Sequence, residues 1–371
     1  MATDGLYEKR PETRSAAIKS LQKAFRVHYL MVDDCWNYYD TLISGLESCM
    51  KRGKPTEQAL SAECLSVFAA QLSPFEIRGL VSRFQPLMET RISDPVENCA
   101  FRGACALSLA WLMFLGNIDD YVSMKALMKS LESVFKMSCL KGDGKPPVHS
   151  PAVLAMHCDC IQAWCLLFSA LPTFEADTVG QAILVTLVSL LESNSVDVRL
   201  AAGNAAGLIF ERIRYEVNEK FKGPYFTNLI ELLDQLANES NKSKSKNDLK
   251  KQRQTFRDLA AFLKTHEVPF EQVIKIQSER LQIESFCQSF HYDSLCRLLS
   301  VGMNTHLQEN ELTRTILGMG PPPPKVVANQ ARRTQDKAAR HYANQFAFKM
   351  RTQHLNVSRD KRNVVAGDES N

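Results

Sequence analysis

The feature that most constrains this chain is a helical pattern of apolar residues that continues almost without a break from residue 15 to residue 237. Apolar side chains recur at three- and four-residue spacing, which is typical of amphipathic helices. Short breaks that contain proline or glycine divide the pattern, and they imply that successive helices run antiparallel. The predicted helices cover residues 15–33, 36–52, 56–72, 75–91, 96–115, 119–138, 151–170, 177–193, 195–216 and 224–237.

Two segments one hundred residues apart resemble each other and indicate an internal repeat. Residues 96–108 read VENCAFRGACALS, and residues 196–208 read VDVRLAAGNAAGL. Gly103 aligns with Gly203, and small residues at such positions let neighbouring helices approach closely. We therefore predict an all-α fold in which residues 15–237 form an armadillo/HEAT-like helical solenoid. An irregular bundle with alanine-rich packing is the alternative.

The composition changes on both sides of this region. Residues 1–14 are polar and are predicted to be disordered. Residues 238–249 include the basic, low-complexity run SNKSKSKN and are predicted to be a flexible linker. Residues 250–320 are expected to form a smaller helical region, with helices predicted at 249–264, 284–302 and 305–317. The alternation of VIKI favours a short extended piece between the first two. Residues 321–371 begin with four prolines and form a basic tail, with a predicted helix at 328–350.

Charge is distributed unevenly along the chain. Residues 325–362 contain ten Lys or Arg against two acids, and residues 240–257 contain seven against one. Once these two segments are set aside, 28 basic and 38 acidic residues remain. An acidic body with two basic segments predicts that only the segments contact polyanions.

The tail combines cations with aromatic rings, which is the chemistry of contact with RNA. Guanidinium groups bridge phosphates, and aromatic rings stack on unpaired bases. The alternative is a solvated tail or a nuclear-import signal. The candidate RNA- or ribosome-binding residues are Arg332, Arg333, Lys337, Arg340, Tyr342, Phe346, Lys349, Arg351, Lys361 and Arg362.

A second basic patch lies in and after the linker. It could contact ribosomal RNA, direct nuclear import or keep the linker extended. Its residues are Lys242, Lys244, Lys246, Lys250, Lys251 and Arg253.

No enzyme motif is present, so a non-enzymatic protein without a cofactor, a metal or a small-molecule substrate is predicted. The run His157–Cys158–Asp159–Cys160 lacks the second ligand pair of a closed zinc site, and buried cysteines on a packed helix explain it better. The adjacent pairs Asp33–Asp34 and Asp119–Asp120 are expected to cap helices or to be solvated rather than to act in catalysis. The polar N-terminus, the short apolar stretches and the scattered cysteines favour a soluble protein in the cytoplasm and the nucleus, without membrane contact.

The C-terminal third carries motifs that resemble the interferon-related developmental regulator family. These are KKQRQTFRDL at 250–259, ERLQIESFCQSFHYDSLCRLLSVG at 279–302 and MNTHLQENELTRTILGMGPP at 303–322. With the helical region before them, the resemblance covers about residues 15–322. Phe286 stands where the family usually has Trp, which preserves an apolar anchor.

The resemblance implies an armadillo-like N-terminal domain and a role in regulating gene expression. One implied mode is binding to ribosomes and ribosomal RNA, with a C-terminal helix that occupies the path of mRNA or tRNA and represses translation. The other is transcriptional co-regulation, in which the solenoid surface recruits nuclear protein complexes. The residues themselves show only a helical scaffold with basic extensions, so both alternatives stay open.

Overall fold

The computed structural model describes residues 3–30, 38–116, 119–239, 246–276 and 279–322. Within these ranges a helical array is followed by a short hairpin and three further helices. The helices of the array are α1 (Pro11–Val27), α2 (Tyr39–Arg52), α3 (Pro55–Ala69), α4 (Pro74–Ser93), α5 (Cys99–Leu115), α6 (Tyr121–Phe135), α7 (Pro151–Ala170), α8 (Thr173–Leu191), α9 (Val196–Glu216), α10 (Phe226–Asn238) and α11 (Lys246–Thr265).

The array is a solenoid of two helical rows. The inner row consists of α1, α3, α5, α7, α9 and α11, each packed on the next. The outer row consists of α2, α4, α6, α8 and α10, each packed on the inner helix that follows it in the chain. One continuous apolar core runs along the array and includes the buried Trp111 and Trp164. The predicted all-α solenoid is confirmed.

Proline and capping residues explain where the helices begin. Prolines occupy the first position of α1, α3, α4 and α7, where a missing N–H costs nothing. The side chains of Asn98, Asp120, Ser150 and Ser195 accept hydrogen bonds from the first turns of α5, α6, α7 and α9. The capping role expected at 119–120 is thus confirmed for Asp120.

The repeated glycines sit at equivalent places in the inner row. A Cβ at Gly103 of α5 would overlap the carboxylate of Asp159 on α7. A Cβ at Gly203 of α9 would lie 2.8 Å from the ring of Phe256 on α11. Each glycine therefore admits a side chain from the next inner helix, which confirms the packing role predicted from the repeat.

The remaining elements run back along the inner row. The strands are β1 (Gln272–Ile276) and β2 (Glu279–Ile283), paired antiparallel with Ile274 opposite Leu281, and the helices are α12 (Phe286–Leu299), α13 (Met303–Glu309) and α14 (Glu311–Ile316). Helix α12 contacts α9, α3 and α1, and α13 contacts α1. This C-terminal segment therefore covers much of the inner row. The extended piece expected from VIKI is one strand of the hairpin.

Three expectations need correction. Residues 3–14 are not disordered, because a 3₁₀ turn at Asp4–Tyr7 buries Leu6 and helix α1 begins at Pro11. The predicted linker at 238–249 ends early, since α11 begins at Lys246. The helix predicted at 305–317 is two helices, because the Asn310 side chain accepts a hydrogen bond from Thr313 N and starts α14.

Helices α7 and α8 are long and apolar enough to cross a membrane by length and composition alone, although their apolar stretches looked too short in the sequence. Both are packed within the array, α7 between α5 and α9 and α8 against α9. Their apolar side chains, such as Trp164 and Leu187, lie in the core. Their hydropathy therefore fits core helices of the solenoid.

Candidate nucleic-acid interface

The main predicted binding residues lie in the tail, outside the part of the chain that the structure describes. Their contact with RNA stays a prediction. These residues are Arg332, Arg333, Lys337, Arg340, Tyr342, Phe346, Lys349, Arg351, Lys361 and Arg362.

The structure does describe the point from which the tail starts. Arg314 is 1% exposed, and its guanidinium donates to both carboxylate oxygens of Glu279 at 2.9 and 3.0 Å. It also donates to the carbonyl oxygens of Leu307 at 2.7 Å and Gly320 at 2.6 Å. A bidentate ion pair and two carbonyl bonds satisfy a buried guanidinium. Arg314 thereby ties the hairpin, α13 and the residues before the prolines together.

The same region is attached to the N-terminal end of the solenoid. The Nε2 atom of His306 lies 3.1 Å from the carbonyl oxygen of Phe25, and Asn310 donates to the carbonyl oxygen of Ala70 at 2.7 Å. Both side chains are fully buried. Burial lowers the pKa of His306, so the neutral ring is favoured. The described chain thus ends beside α1 and α3, while the other basic segment begins α11 at the far end of the inner row.

The second basic patch is only partly described. Lys242 and Lys244 lie outside the described residues, and for Lys246 and Lys251 only the helical backbone of α11 is described. Lys250 is exposed on α11. Arg253 is half-buried and donates to the carbonyl oxygen of Glu239 at 2.8 Å, so it acts in packing. Arg257, seven residues after Lys250, is exposed on the same helix face.

A buried polar network holds the start of α11 against α9. Gln252 is fully buried and accepts a hydrogen bond from Arg199 at 2.8 Å, while its amide nitrogen donates to Glu239 at 2.7 Å. Arg199 also donates to the carbonyl oxygen of Ser193 at 2.7 Å. Burial lowers the pKa of Arg199, and the Glu239 carboxylate opposes that change. This network leaves Lys250 and Arg257 facing solvent.

The hairpin carries a further pair of cations that the sequence did not predict. Lys275 on β1 lies directly opposite Arg280 on β2, and both are exposed. Like charges at a cross-strand pair repel, and a bound phosphate would offset that repulsion. The pair could not be recognised before the strand register was known, because neither residue belongs to a basic run.

The histidine–cysteine run on α7 is part of the core. His157 is 1% exposed, its Nδ1 atom lies 2.7 Å from the Ser138 hydroxyl, and burial lowers its pKa to about 4. Cys160 and Cys165 are buried, as predicted, whereas Cys158 is only half-buried. Burial raises the pKa of the Cys160 thiol to about 12, so it is not a reactive thiolate. The described residues contain no cluster of three or more His, Cys, Asp or Glu placed to hold a metal ion.

Comparison with known proteins gives matches over nearly the whole chain. The family model of interferon-related developmental regulator matches residues 1–264, and that of the interferon-related protein conserved region matches residues 310–363. The second match includes Asn310, Arg314 and every candidate residue of the tail, and it extends beyond the motifs noted above.

Individual relatives agree with the family models. The chain is 31% identical to interferon-related developmental regulator 1 of Sus scrofa, over 97% of this chain and 79% of that protein. It is 34% identical to interferon-related developmental regulator 2 of Mus musculus, over 97% of this chain and 81% of that protein. It is 30% identical to interferon-related developmental regulator 1 of Homo sapiens, with the same coverage as the pig protein.

Proposed function

Because the chain belongs to the interferon-related developmental regulator family, we propose that it is a non-enzymatic regulator that binds ribosomes through its basic tail and represses translation. In this mechanism the solenoid docks on the ribosome and the tail enters a channel lined by RNA. Occupation of the channel excludes mRNA or tRNA sterically, and no bond is made or broken.

The observation that carries the proposal is the attachment of a basic, aromatic tail to a rigid acidic body. Arg314, His306 and Asn310 fix the start of the tail against α1 and α3. A tail that leaves from a fixed point loses less entropy on binding than one on a long flexible linker. Exposed cations on α11 and the hairpin, at Lys250, Arg257 and the Lys275–Arg280 pair, supply further phosphate contacts.

Sedimentation with ribosomes tests this proposal. We expect the full chain to migrate with monosomes at about 50 mM salt and to be released at about 200 mM, because counterion release makes phosphate contacts salt-sensitive. A chain that ends at Pro324 should stay at the top of the gradient. If the truncated chain migrates like the full chain, the tail is not the binding element and the proposal fails.

A second candidate function is transcriptional co-regulation through protein partners. Three large apolar side chains are exposed at the second position of successive outer helices: Phe75 on α4, Val122 on α6 and Phe174 on α8, with 83%, 76% and 79% of their surface accessible. The inner row is largely covered by the C-terminal segment, so this edge is the better docking surface for proteins.

Two variants distinguish between the two candidate functions. A triple Phe75, Val122 and Phe174 to Ser variant should keep salt-sensitive ribosome binding if translation is the function. If co-regulation is the function, that variant should lose its complexes from nuclear extract, while the chain that ends at Pro324 should keep them.

A further inference from the structure

A groove lies where α12 crosses the inner row. At its start α12 packs on α9, where Phe286 lies over Gly207, and near its end Arg26 of α1 donates to the carbonyl oxygen of Leu298 at 3.0 Å. Between these anchors a groove of about 330 Å³ opens between α12 and helices α3, α5 and α7. Small side chains leave this space, namely Ala100, Ala104, Ala152 and Ala155. Its volume is within the range of small-ligand sites, roughly 300–1,000 Å³.

The cationic groups that line the groove are already engaged. Arg297 on α12 donates to Asp159 at 2.5 Å and to the side-chain oxygen of Gln162. Arg26 donates to the carbonyl oxygen of Leu298. Both guanidinium groups therefore help to hold α12 on the inner row.

Two groups that line the groove and can accept hydrogen bonds, the Glu63 carboxylate and the Ser294 hydroxyl, make few or none within the described chain. Glu63 on α3 is exposed to the groove, and its one side-chain hydrogen bond among the described residues is a long one, 3.5 Å from the amide of Gln22. Ser294 on α12 lines the groove with only 6% of the residue exposed, and its hydroxyl has no hydrogen-bond partner within the described chain. A buried hydroxyl without a partner costs free energy that a ligand can recover.

The carboxylates also lack full charge compensation. Burial by surrounding protein raises the pKa of Glu63, and the nearby charges of Arg26 and Arg297 only partly oppose this change. Burial likewise raises the pKa of Asp159, and Arg297 only partly opposes this change. A positive charge placed between Glu63 and Asp159 would favour the ionised form of both.

Apolar side chains complete the site. Leu107 and Trp111 of α5 and Met156 of α7 line the groove beside the carboxylates. We propose that this groove binds a cationic group, an ammonium or a guanidinium on a short apolar stem, with Glu63 and Ser294 as its hydrogen-bond partners. The cation is carried either by a free small molecule or by a basic side chain of a peptide.

Calorimetric titration of the full chain tests the site with defined probes. Butylguanidine and putrescine represent free cations, and the capped tripeptide Ala-Arg-Ala represents a peptide side chain. We expect at least one probe to bind with a stoichiometry of one, while 1-pentanol, which lacks the charge, does not bind. Tighter binding of the tripeptide than of butylguanidine assigns the cation to a peptide, and the reverse order assigns it to a free ligand.

Variants locate the binding in the groove. Glu63→Gln removes the charge at constant shape, and Ala155→Leu fills the groove without changing charge. Each should raise the dissociation constant of the bound probe at least tenfold. Glu231→Gln on α10 and Ala16→Leu on α1 are exposed controls and should leave it unchanged.

Two results would overturn the proposal: no probe binds up to millimolar concentration, or binding is the same in Glu63→Gln as in the Glu231→Gln control. Circular dichroism of each variant without ligand checks folding. If Ala155→Leu does not fold, Ser294→Ala replaces it, with the same tenfold loss expected.

Discussion

At the scale of single residues, a titratable pair holds the start of α12. The carboxylate of Glu211 on α9 accepts hydrogen bonds from the backbone N–H groups of Phe286 at 2.7 Å and Cys287 at 2.8 Å. Burial raises its pKa to about 7, although both hydrogen bonds favour the ionised form. One turn later, His291 lies 2.9 Å from the Ser169 hydroxyl, and burial lowers its pKa to about 4.

The two groups should affect stability in opposite directions as pH falls. Between pH 6.5 and 4 the unfolded chain protonates His291 while the folded chain does not, so acid lowers the free energy of unfolding. Between pH 7 and 4.5 the folded chain protonates Glu211 more than the unfolded chain does, so acid raises it. We expect His291→Gln to lessen the fall in the free energy of unfolding as the pH decreases. Glu211→Gln should make that fall steeper. Urea unfolding at several pH values from 4.5 to 7.5 measures both slopes, and identical slopes in the two variants would contradict this assignment.

Arg314 is the residue on which the attachment of the tail most depends. Replacement by Met leaves the Glu279 carboxylate and two carbonyl groups without their donor, and loss of one partner of a buried pair costs about 3–5 kcal/mol. Urea unfolding should show this loss for Arg314→Met. The exposed Arg280→Met, one residue after Glu279, should change stability by less than about 0.5 kcal/mol. Equal effects of the two variants would argue against a structural role for Arg314.

At the scale of elements, the contact between the C-terminal segment and α1 allows no side chain at one position. A Cβ added at Gly302 would overlap the carbonyl oxygen of Arg26, whereas one added at the exposed Gly79 in α4 would meet nothing within 4 Å. Gly302→Ala should destabilise the protein by about 1–3 kcal/mol. Gly79→Ala should stabilise it by roughly 0.5–1 kcal/mol, because alanine is the better helix former. Thermal unfolding compares them, and a neutral Gly302→Ala would show that the segment is not docked on α1.

The solenoid helices were predictable because their signals are local. Prolines such as Pro74 and caps such as Ser195 mark the helix starts, and the predicted bounds fall within a few residues of the observed ones in most cases. The break at Asn310 was missed because apolar spacing continues through it and only the cap shows the new start. The ordered N-terminus was missed because its polar residues conceal Leu6, whose partners lie far along the chain.

At the scale of the whole molecule, the path of the C-terminal segment could not be predicted from the sequence. It depends on contacts such as the hydrogen bond from Arg26 to the Leu298 carbonyl oxygen, which joins residues 272 apart. Contacts of this kind produce no repeating pattern in the sequence. The same holds for the Lys275–Arg280 pair and for the groove beneath α12. The basic character of the tail was readable directly, since charge and aromatic content are properties of composition.

As a whole, the described residues form a scaffold in which the segment that leads into the basic tail is fixed against α1 and α3. The outer row packs on the inner row and the C-terminal segment covers much of it, while the second basic segment continues into α11 and the tail follows α14. In the proposed mechanism the scaffold sets the position of the tail, and the tail makes the contacts with RNA.

The salt dependence of affinity for purified ribosomes tests this account most directly. A variant with Arg332, Arg333, Lys337 and Arg340 changed to Gln should bind more weakly, and its plot of log affinity against log salt should be less steep by about 3, because each phosphate contact contributes roughly 0.7–0.9. A control with the exposed Lys9, Lys19, Lys23 and Lys129 changed to Gln removes the same charge from the body and should keep the slope of the unmodified chain. Equal slopes and affinities for both variants would contradict the account.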